Sequence, residues 1–578
     1  MQNIEIARVF DKIADMLELK EENLFRVRAY RRASAGLAAL GRELSDIAEE
    51  DPGAIEKIPG IGKDLAGKIK EMLDTGACSF YEELKKDFPE GFLELLDISG
   101  LGPKKLIKLR AKAGVEDIVS LEEACRKGLV ESISGMGKKT QDKLLDSIDY
   151  FKSSRGRMLL PEADLLAGEI ITYLMRSDLF IKAVSAGSLR RGKETVGDLD
   201  ILAEVKDARK ALRHFQGFRG VREVLSGGGT KSSVRLENGV QVDLRMIEAK
   251  CFGAALQYFT GSQQHNVELR GVARKKGYKL SEYGIFKKSR GDEWKYTAGV
   301  TEEDIYSSLG MQWIPPEMRE GRGEIKSAIA GTIPHDLITG EDIKGDLHIH
   351  TDRTDGKASA EDIIQKCTEK GYKYFAVTDH SQHIRIANGM DGKSLLEHCG
   401  KLKRLASSCG RISLLTGVEV DILADGELDI EDDVLRELDL VVAAVHSRFS
   451  LNRARQTDRL LRAIDNKNVN ILAHPSGRLI TSRRGLDFDR ERVFKAASEA
   501  GVALEINTHG QRIDLNDSDC IVARELGAKF AINTDAHSLD QLDMIKYGVI
   551  TGRKAVLRKA DVINTYELDR LLKFLIRS

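Results

Sequence analysis

Six histidines at the ends of short apolar runs constrain this chain more than any other feature. They stand in GDLHIHT (His348, His350), FAVTDH (His380), VVAAVH (His446), NILAHP (His474) and FAINTDAH (His537). Nine of the twelve histidines lie beyond Gly345, so the enrichment belongs to one region. Asp355, Glu419 in LLTGVEV and Asp535 raise the set of potential ligands to nine. A strand that ends in a donor, repeated with helical stretches between, predicts a parallel barrel whose C-terminal rim gathers the donors. Seven strand-like runs fit that pattern, each expected to end in a ligand. Imidazoles mixed with carboxylates suit Zn2+ or Mn2+, and this many donors can hold up to three ions. A water acidified between such ions attacks phosphoesters, which predicts a hydrolase. One strand-end histidine would be unremarkable; repetition carries the argument.

The chain has 578 residues, too many for one core, and about three to five domains are expected. Hydrophobic residues make up 42% and charged ones 31%, as in globular proteins. No apolar run approaches the roughly 20 residues of a membrane span. The N-terminal MQNIEIARVFDKIADML reads as an amphipathic helix with acidic residues rather than a targeting peptide, so a cytoplasmic protein is expected. Seven singly placed cysteines without a CxxC argue against a disulfide framework or a thiolate zinc site. With a net charge of −1, any nucleic-acid contact must rest on local patches and backbone amides.

Such patches recur. IEKIPGIGKDLAGKI (Gly60, Gly62), LLDISGLGPKKLIKL (Gly100, Gly102) and VESISGMGKKTQDKL (Gly135, Gly137) each run from an apolar residue through G-x-G into a lysine-bearing helix. The free amides of the following helix suit a phosphate. The three elements resemble helix-hairpin-helix motifs, which hold the DNA backbone without reading sequence.

The middle of the chain carries a second constellation, G-S-x-R-R-G-K-x-T-x-G-D-x-D over residues 187–200. On a strand, Asp198 and Asp200 point to one face, and Asp243 in ENGVQVDLRMI can join them from a neighbouring strand. Three crowded carboxylates need cations between them, and oxygen ligands favour Mg2+ or Mn2+. Two ions about 3.5–4 Å apart suit in-line phosphoryl transfer. Upstream, the Gly187 and Ser188 amides with Arg190 and Arg191 are expected to cradle phosphates.

This stretch resembles the nucleotidyltransferase superfamily and, more closely, the family X DNA polymerases. The likeness extends to residues 1–90, similar to the family's lyase-type domain, and to YFTGSQQHN at 258–266, similar to its nucleotide-contacting segment. It implies that Tyr258 and Phe259 screen against a 2′-hydroxyl with Gly261 beside them, and that Asn266 touches the base and Arg270 the template side. Ser188, Arg191 and Gly197 would touch the triphosphate, with Arg157 a further candidate. Lys68 takes the place of the lysine that forms a Schiff base with an abasic sugar. Residues 342–578 resemble the PHP (polymerase and histidinol phosphatase) domain. That implies a distorted seven-stranded (β/α) barrel, and none of its nine ligand positions is replaced. Arg448 and Arg478 follow ligand histidines and could clamp scissile phosphates. His383 and His509 read as substrate contacts or structural groups.

The expected fold is multidomain α/β. A helical lyase-like DNA-binding domain spans 1–90 and a helix-hairpin-helix region 91–154. A nucleotidyltransferase palm with a mixed sheet spans 155–250, followed by a small α+β thumb-like subdomain at 251–315. A linker at 316–341 leads to the barrel at 342–578. The resemblance implies a DNA-directed DNA polymerase that fills short gaps for base-excision repair, with a metal-dependent 3′-5′ exonuclease in the barrel. AP endonuclease and 3′-phosphodiesterase activities would be extensions. Expected partners are gapped or primer-template DNA with its 3′ ends, and dNTPs; no membrane is expected, and the chain reads as a monomer. The rival reading is a small-molecule phosphoesterase whose front half only binds DNA or nucleotides.

Overall fold

The computed structural model describes residues 1–578 apart from 2, 39, 41–43, 52, 59, 99, 155, 290–292, 410–411 and 578. Helices Asn3–Leu19 and Leu24–Ala38 pack on each other through the first apolar core, which includes Phe10, Ile13, Tyr30, Leu65 and Ile69. A second helical core gathers Phe92, Leu106, Leu121 and Ile148. The three G-x-G turns share one geometry. Gly60, Gly100 and Gly135 have φ of 87°, 85° and 86°, and the residues that follow them, Ile61, Leu101 and Met136, are buried. Gly62 and Gly102 cap Lys63–Thr75 and Pro103–Ala113 without a side-chain hydrogen bond, so those helices offer bare N-terminal amides. Gly137 precedes the helix Lys138–Ser154.

The palm is a five-stranded sheet in the order Phe180–Ser185, Asp198–Val205, Gln241–Met246, Lys231–Leu236, Val221–Gly228. Leu199, Ile201, Val242 and Leu244 face helices Leu160–Met175 and Ala208–Gln216 in one core. The two-residue period therefore turns Asp198, Asp200 and Asp243 to the opposite face. The thumb combines a three-stranded antiparallel sheet (Tyr278–Ser281, Gly284–Lys288, Trp294–Ala298) with helices Phe252–Thr260, Gln263–Lys275 and Glu302–Ser308.

The segment expected as a linker at 316–341 is folded. It forms the helix Glu324–Ala330, and Met318, Ile325, Ala328, Ile333 and Leu337 enter the thumb core beside Leu269 and Ile305. Arg319 is fully buried and donates to Glu302 at 2.6 Å. Its prolines and glycines punctuate tight turns between apolar anchors rather than an open chain.

Seven parallel strands follow in sequence order: Gly345–Ile349, Tyr374–Val377, Ser413–Asp421, Leu440–Ala444, Ile471–Leu472, Ala503–Asn507 and Phe530–Asn533. A bridge from Ile349 to Ala536 brings the last edge to the first. Buried Tyr566, Leu571 and Leu575 from the C-terminal segment pack into the barrel interior. One expectation fails: the sixth strand ends in none of the nine predicted donors and carries Glu505 and Asn507 instead. The barrel is docked on the palm, with Ile480, Ile513 and Tyr547 in the same apolar core as Leu160 and Ile201. Among the described residues, no helix is long and apolar enough to cross a membrane.

Two candidate active sites

In the palm, strands Asp198–Val205 and Gln241–Met246 are parallel neighbours in a register that sets Asp200 beside Asp243. Asp198 lies two residues earlier on the same face. Burial, then the charges of Asp198 and Asp243, push the Asp200 carboxyl up to about 6. Burial would raise Asp243 too, but hydrogen bonds from Lys231, Gln241 and Ser233 hold it below the usual range. Lys231 Nζ lies 2.9 Å from Asp243 Oδ2. Gly187 has φ +60°, and a Cβ there would stand 2.4 Å from Asp200 Oδ2, so only glycine brings the turn this close to the carboxylate. Lys231 was not foreseen. Its one signal is its place at the head of the strand antiparallel to VDLR.

The 187–197 turn gathers most of the predicted phosphate contacts. Ser188 lies in the short helix Gly187–Arg190. Arg157 donates to Thr195 Oγ1 at 2.8 Å and to the Thr195 carbonyl at 2.6 Å, close against Gly197. Arg191 pairs with Glu320 at 3.0 Å and donates to the Thr260 carbonyl, beside Gly261. Arg190 departs from expectation. Its guanidinium grips Glu302 at 2.8 and 2.7 Å and Thr260 Oγ1 at 2.6 Å, so it ties palm to thumb rather than facing an anion. Tyr258 and Phe259 meet edge to face at 5.1 Å, with Arg245 4.2 Å over Phe259 and Arg270 5.9 Å over Tyr258. Asn266 donates to the Tyr258 carbonyl at 2.7 Å and accepts from Gln257 at 2.8 Å. Arg157 also lines a cavity of about 980 Å³ with Gly100, Gly102, Thr481 and Ser482, so the second hairpin opens toward this turn. Lys68 belongs to the N-terminal domain, where its Nζ meets Asp64 at 2.5 Å and lies 5.0 Å over the Phe80 ring.

At the barrel rim the predicted donors converge. Among the described residues, three groups have ligand atoms within 4.8 Å of one another: His350, Asp355, His380 and His537; His348, His350 and Asp535; and His380, Glu419 and His446. His474 Nε2 joins through Glu419 Oε1 at 2.9 Å. His348 Nε2, both ring nitrogens of His350 and Glu419 Oε2 are buried without a hydrogen-bond partner. Buried polar atoms left unpaired are costly, so atoms aimed at a common centre fit cations. Despite its burial, Glu419 is held well below the carboxylate range by His446, His380 and His348. Burial pushes His350 and His474 down, toward the neutral form that ligates.

Behind the rim stand groups that sequence reasoning missed. Glu505, fully buried, accepts from His348 Nδ1 at 2.8 Å, the His474 amide at 2.8 Å, Asn533 at 2.9 Å and Asn507 at 3.1 Å. Asp421 meets His446 Nδ1 at 3.1 Å. Asp379 meets Thr351, Thr354 and His398. Carboxylates placed like Glu505 and Asp421, against the far nitrogen of a donor imidazole, orient the ring and fix its tautomer. The available signal was an acid inside an otherwise apolar run, VALEIN. His383 lies 3.6 Å from Asp421 and is about half exposed, whereas burial pushes His509 down to about 4. Arg448 lines an open cavity with His383 and Arg455. Arg478, expected at a scissile phosphate, instead pairs with Glu194 of the palm.

Residues 1–78 match a helix-hairpin-helix domain, 92–149 a SAM-like helix-hairpin-helix tandem, 255–320 the DNA polymerase beta thumb and 346–509 the PHP domain. The DNA polymerase/3′-5′ exonuclease PolX of Bacillus subtilis (strain 168) is 37% identical over 580 residues, covering 100% of both chains. DNA polymerase lambda of Arabidopsis thaliana is 25% identical over 46% of this chain and 53% of its own. A probable phosphatase of Thermoanaerobacter sp. (strain X514) is 29% identical over 38% of this chain and 89% of its own. A match of 37% identity along the whole length, together with the hairpin, thumb and PHP matches, establishes that the chain belongs to the family X DNA polymerases that carry a C-terminal PHP domain.

Proposed function

We propose that the chain is a DNA-directed DNA polymerase that fills short gaps during repair, and that its barrel is a 3′-5′ exonuclease acting on the same DNA ends. What carries this reading is one folded unit holding both the Asp198/Asp200/Asp243 face and the rim of eight clustered donors that His474 joins through Glu419. Asp198, Asp200 and Asp243 would hold Mg2+ or Mn2+. His348, His350, Asp355, His380, Glu419, His446, His474, Asp535 and His537 would hold up to three Zn2+ or Mn2+. Such ions supply Lewis-acid stabilisation of phosphoryl charge in both places.

The chain's own groups do the rest. The Gly187 and Ser188 amides, with Arg191, Gly197 and Arg157, hold the triphosphate of a dNTP in line with a primer 3′ end. Tyr258 and Phe259 wall the sugar beside Gly261, Asn266 meets the base, and Arg270 lies toward the template. The hairpin glycines Gly60, Gly62, Gly100, Gly102, Gly135 and Gly137 present amides to DNA phosphates without selecting sequence. At the rim, Glu505 and Asp421 keep the imidazoles oriented, and removal of a 3′ nucleotide extends naturally to blocked 3′ ends and abasic sites. Lys68 is the candidate for abasic-sugar chemistry, with Asp64 as its partner in the free protein. The protein would work as a cytoplasmic monomer.

Primer extension on a gapped duplex by the Asp198→Ala and Asp200→Ala variants tests the palm: loss of extension is expected, and unchanged extension sinks the polymerase reading. His350→Ala is expected to stop nucleotide release from a 3′-labelled oligonucleotide. Because the barrel also matches a probable phosphatase, release of inorganic phosphate from a simple phosphomonoester, with the oligonucleotide left intact, would favour the phosphoesterase instead.

A further inference from the structure

The 187–197 turn is gripped from outside its own domain. Glu194 lies in it, and Arg478 of the barrel reaches across to Glu194 with both terminal nitrogens, one at 3.0 Å. The pair is largely buried, at 16% and 27% exposure. The same guanidinium donates to the Ile513 carbonyl, which anchors it to the barrel. A second grip lies two residues away. Lys554, nearly fully buried, donates to the Gly192 carbonyl at 3.2 Å and pairs with Asp517 at 3.2 Å. Ile550, one turn earlier on the same helix, presses so closely on Gly192 that a Cβ there would meet it at 2.1 Å. Within the palm, Glu194 also accepts the Leu160 amide at 3.0 Å through its carbonyl.

We infer that the barrel is part of the nucleotide site: Arg478 and Lys554 are positioning residues that set the conformation of the triphosphate-holding turn from the other domain. The inference rests on the polymerase reading of Asp198, Asp200 and the turn. Its physical basis is connectivity. Gly187, Ser188, Arg191 and Gly197 are spaced along one short loop; palm and thumb groups hold it at Arg190, Arg191 and Thr195, and between these Gly192 and Glu194 are held by barrel side chains. Releasing either barrel contact loosens the middle of the loop and with it the spacing of the groups that a triphosphate needs, whereas Asp198 and Asp200 stay in register on their strand. The cost therefore falls on nucleotide binding more than on the chemical step.

Gap filling by the full-length chain tests this in Arg478→Ala, Lys554→Met and the exchanged pair Glu194→Arg with Arg478→Glu. Arg478→Ala and Lys554→Met are each expected to raise KM for dNTP roughly tenfold, with kcat changed less than threefold. DNA affinity, read by anisotropy, is expected to stay within twofold. The exchanged pair is expected to recover most of the KM lost in Arg478→Ala. A KM within twofold of the parent in both single variants overturns the inference. So does a fall in kcat and DNA affinity alongside KM, which marks general damage to the fold. An Asp198→Ala control separates the two claims. If it abolishes extension while the single variants keep their KM, the brace fails and the polymerase reading stands; if extension survives it, that reading fails first.

Discussion

Asp200 shows most clearly what crowding and burial do to a carboxyl in the palm. Its carboxyl is pushed up to about 6 by burial and by Asp198 and Asp243. Between its ordinary value and about 6 the folded chain holds a proton that the unfolded chain has released. That contribution to stability is complete in acid and is lost as pH rises through about 6. In chelator at pH 7.5, Asp200→Asn should therefore stabilise the protein by about 2–3 kcal/mol, the size of a two-unit shift. At pH 4 the gain should shrink to about 0.5 kcal/mol, and thermal melts at the two pH values check this. Glu505→Gln acts on the other centre: with the charge behind His348 and His474 gone, metal affinity should fall about 10–100-fold. Metal content after dialysis and 3′-label release measure that loss, with primer extension unchanged. The convergence of the rim donors was legible because histidine at a strand end is conspicuous when repeated. Glu505 was not, because one acid in an apolar strand does not say what it faces. Arg190 and Arg478 were misplaced for a related reason: a sequence shows a cation but not which anion holds it, and here Glu302 and Glu194 do.

Among the elements, the three hairpins were readable as copies, since each G-x-G stands before a lysine-bearing helix. Gly100→Val would force a branched side chain into φ +85°, at a cost of about 1–2 kcal/mol. The second hairpin should then release its phosphate, weakening gapped DNA about tenfold and lowering the salt slope by roughly one contact in anisotropy titrations. The segment 316–341 was misread because its prolines and glycines are local signals, while its apolar anchors are spaced too irregularly to declare a helix. Its key group is Arg319. Arg319→Ala removes a fully buried guanidinium from the network of Glu302 and Arg190, and should destabilise the thumb by about 3–5 kcal/mol, seen as earlier melting and faster proteolysis. The sixth barrel strand shows how far repetition reaches. Its backbone keeps the pattern, but its end supplies Asn507, which donates to Glu505 and to the rim carboxylate Asp535 at 3.1 and 3.0 Å.

For the whole molecule, domain order could be read along the chain, but the way the domains lean together could not. The seam is made by pairs far apart in sequence, such as Lys546 with Asp164 and Arg553 with Glu317, and no motif marks them. A chain ended at residue 341 should expose the palm surface that Ile480, Ile513 and Tyr547 cover. It is expected to bind a hydrophobic dye and melt below the full-length protein. That shared apolar core also bears on heredity. Where two catalytic units bury each other's side chains, a substitution at the seam burdens both at once. A lineage cannot discard the trimming half and keep the copying half without first rebuilding the surface between them. Synthesis and correction would then pass from ancestor to descendant as a single trait.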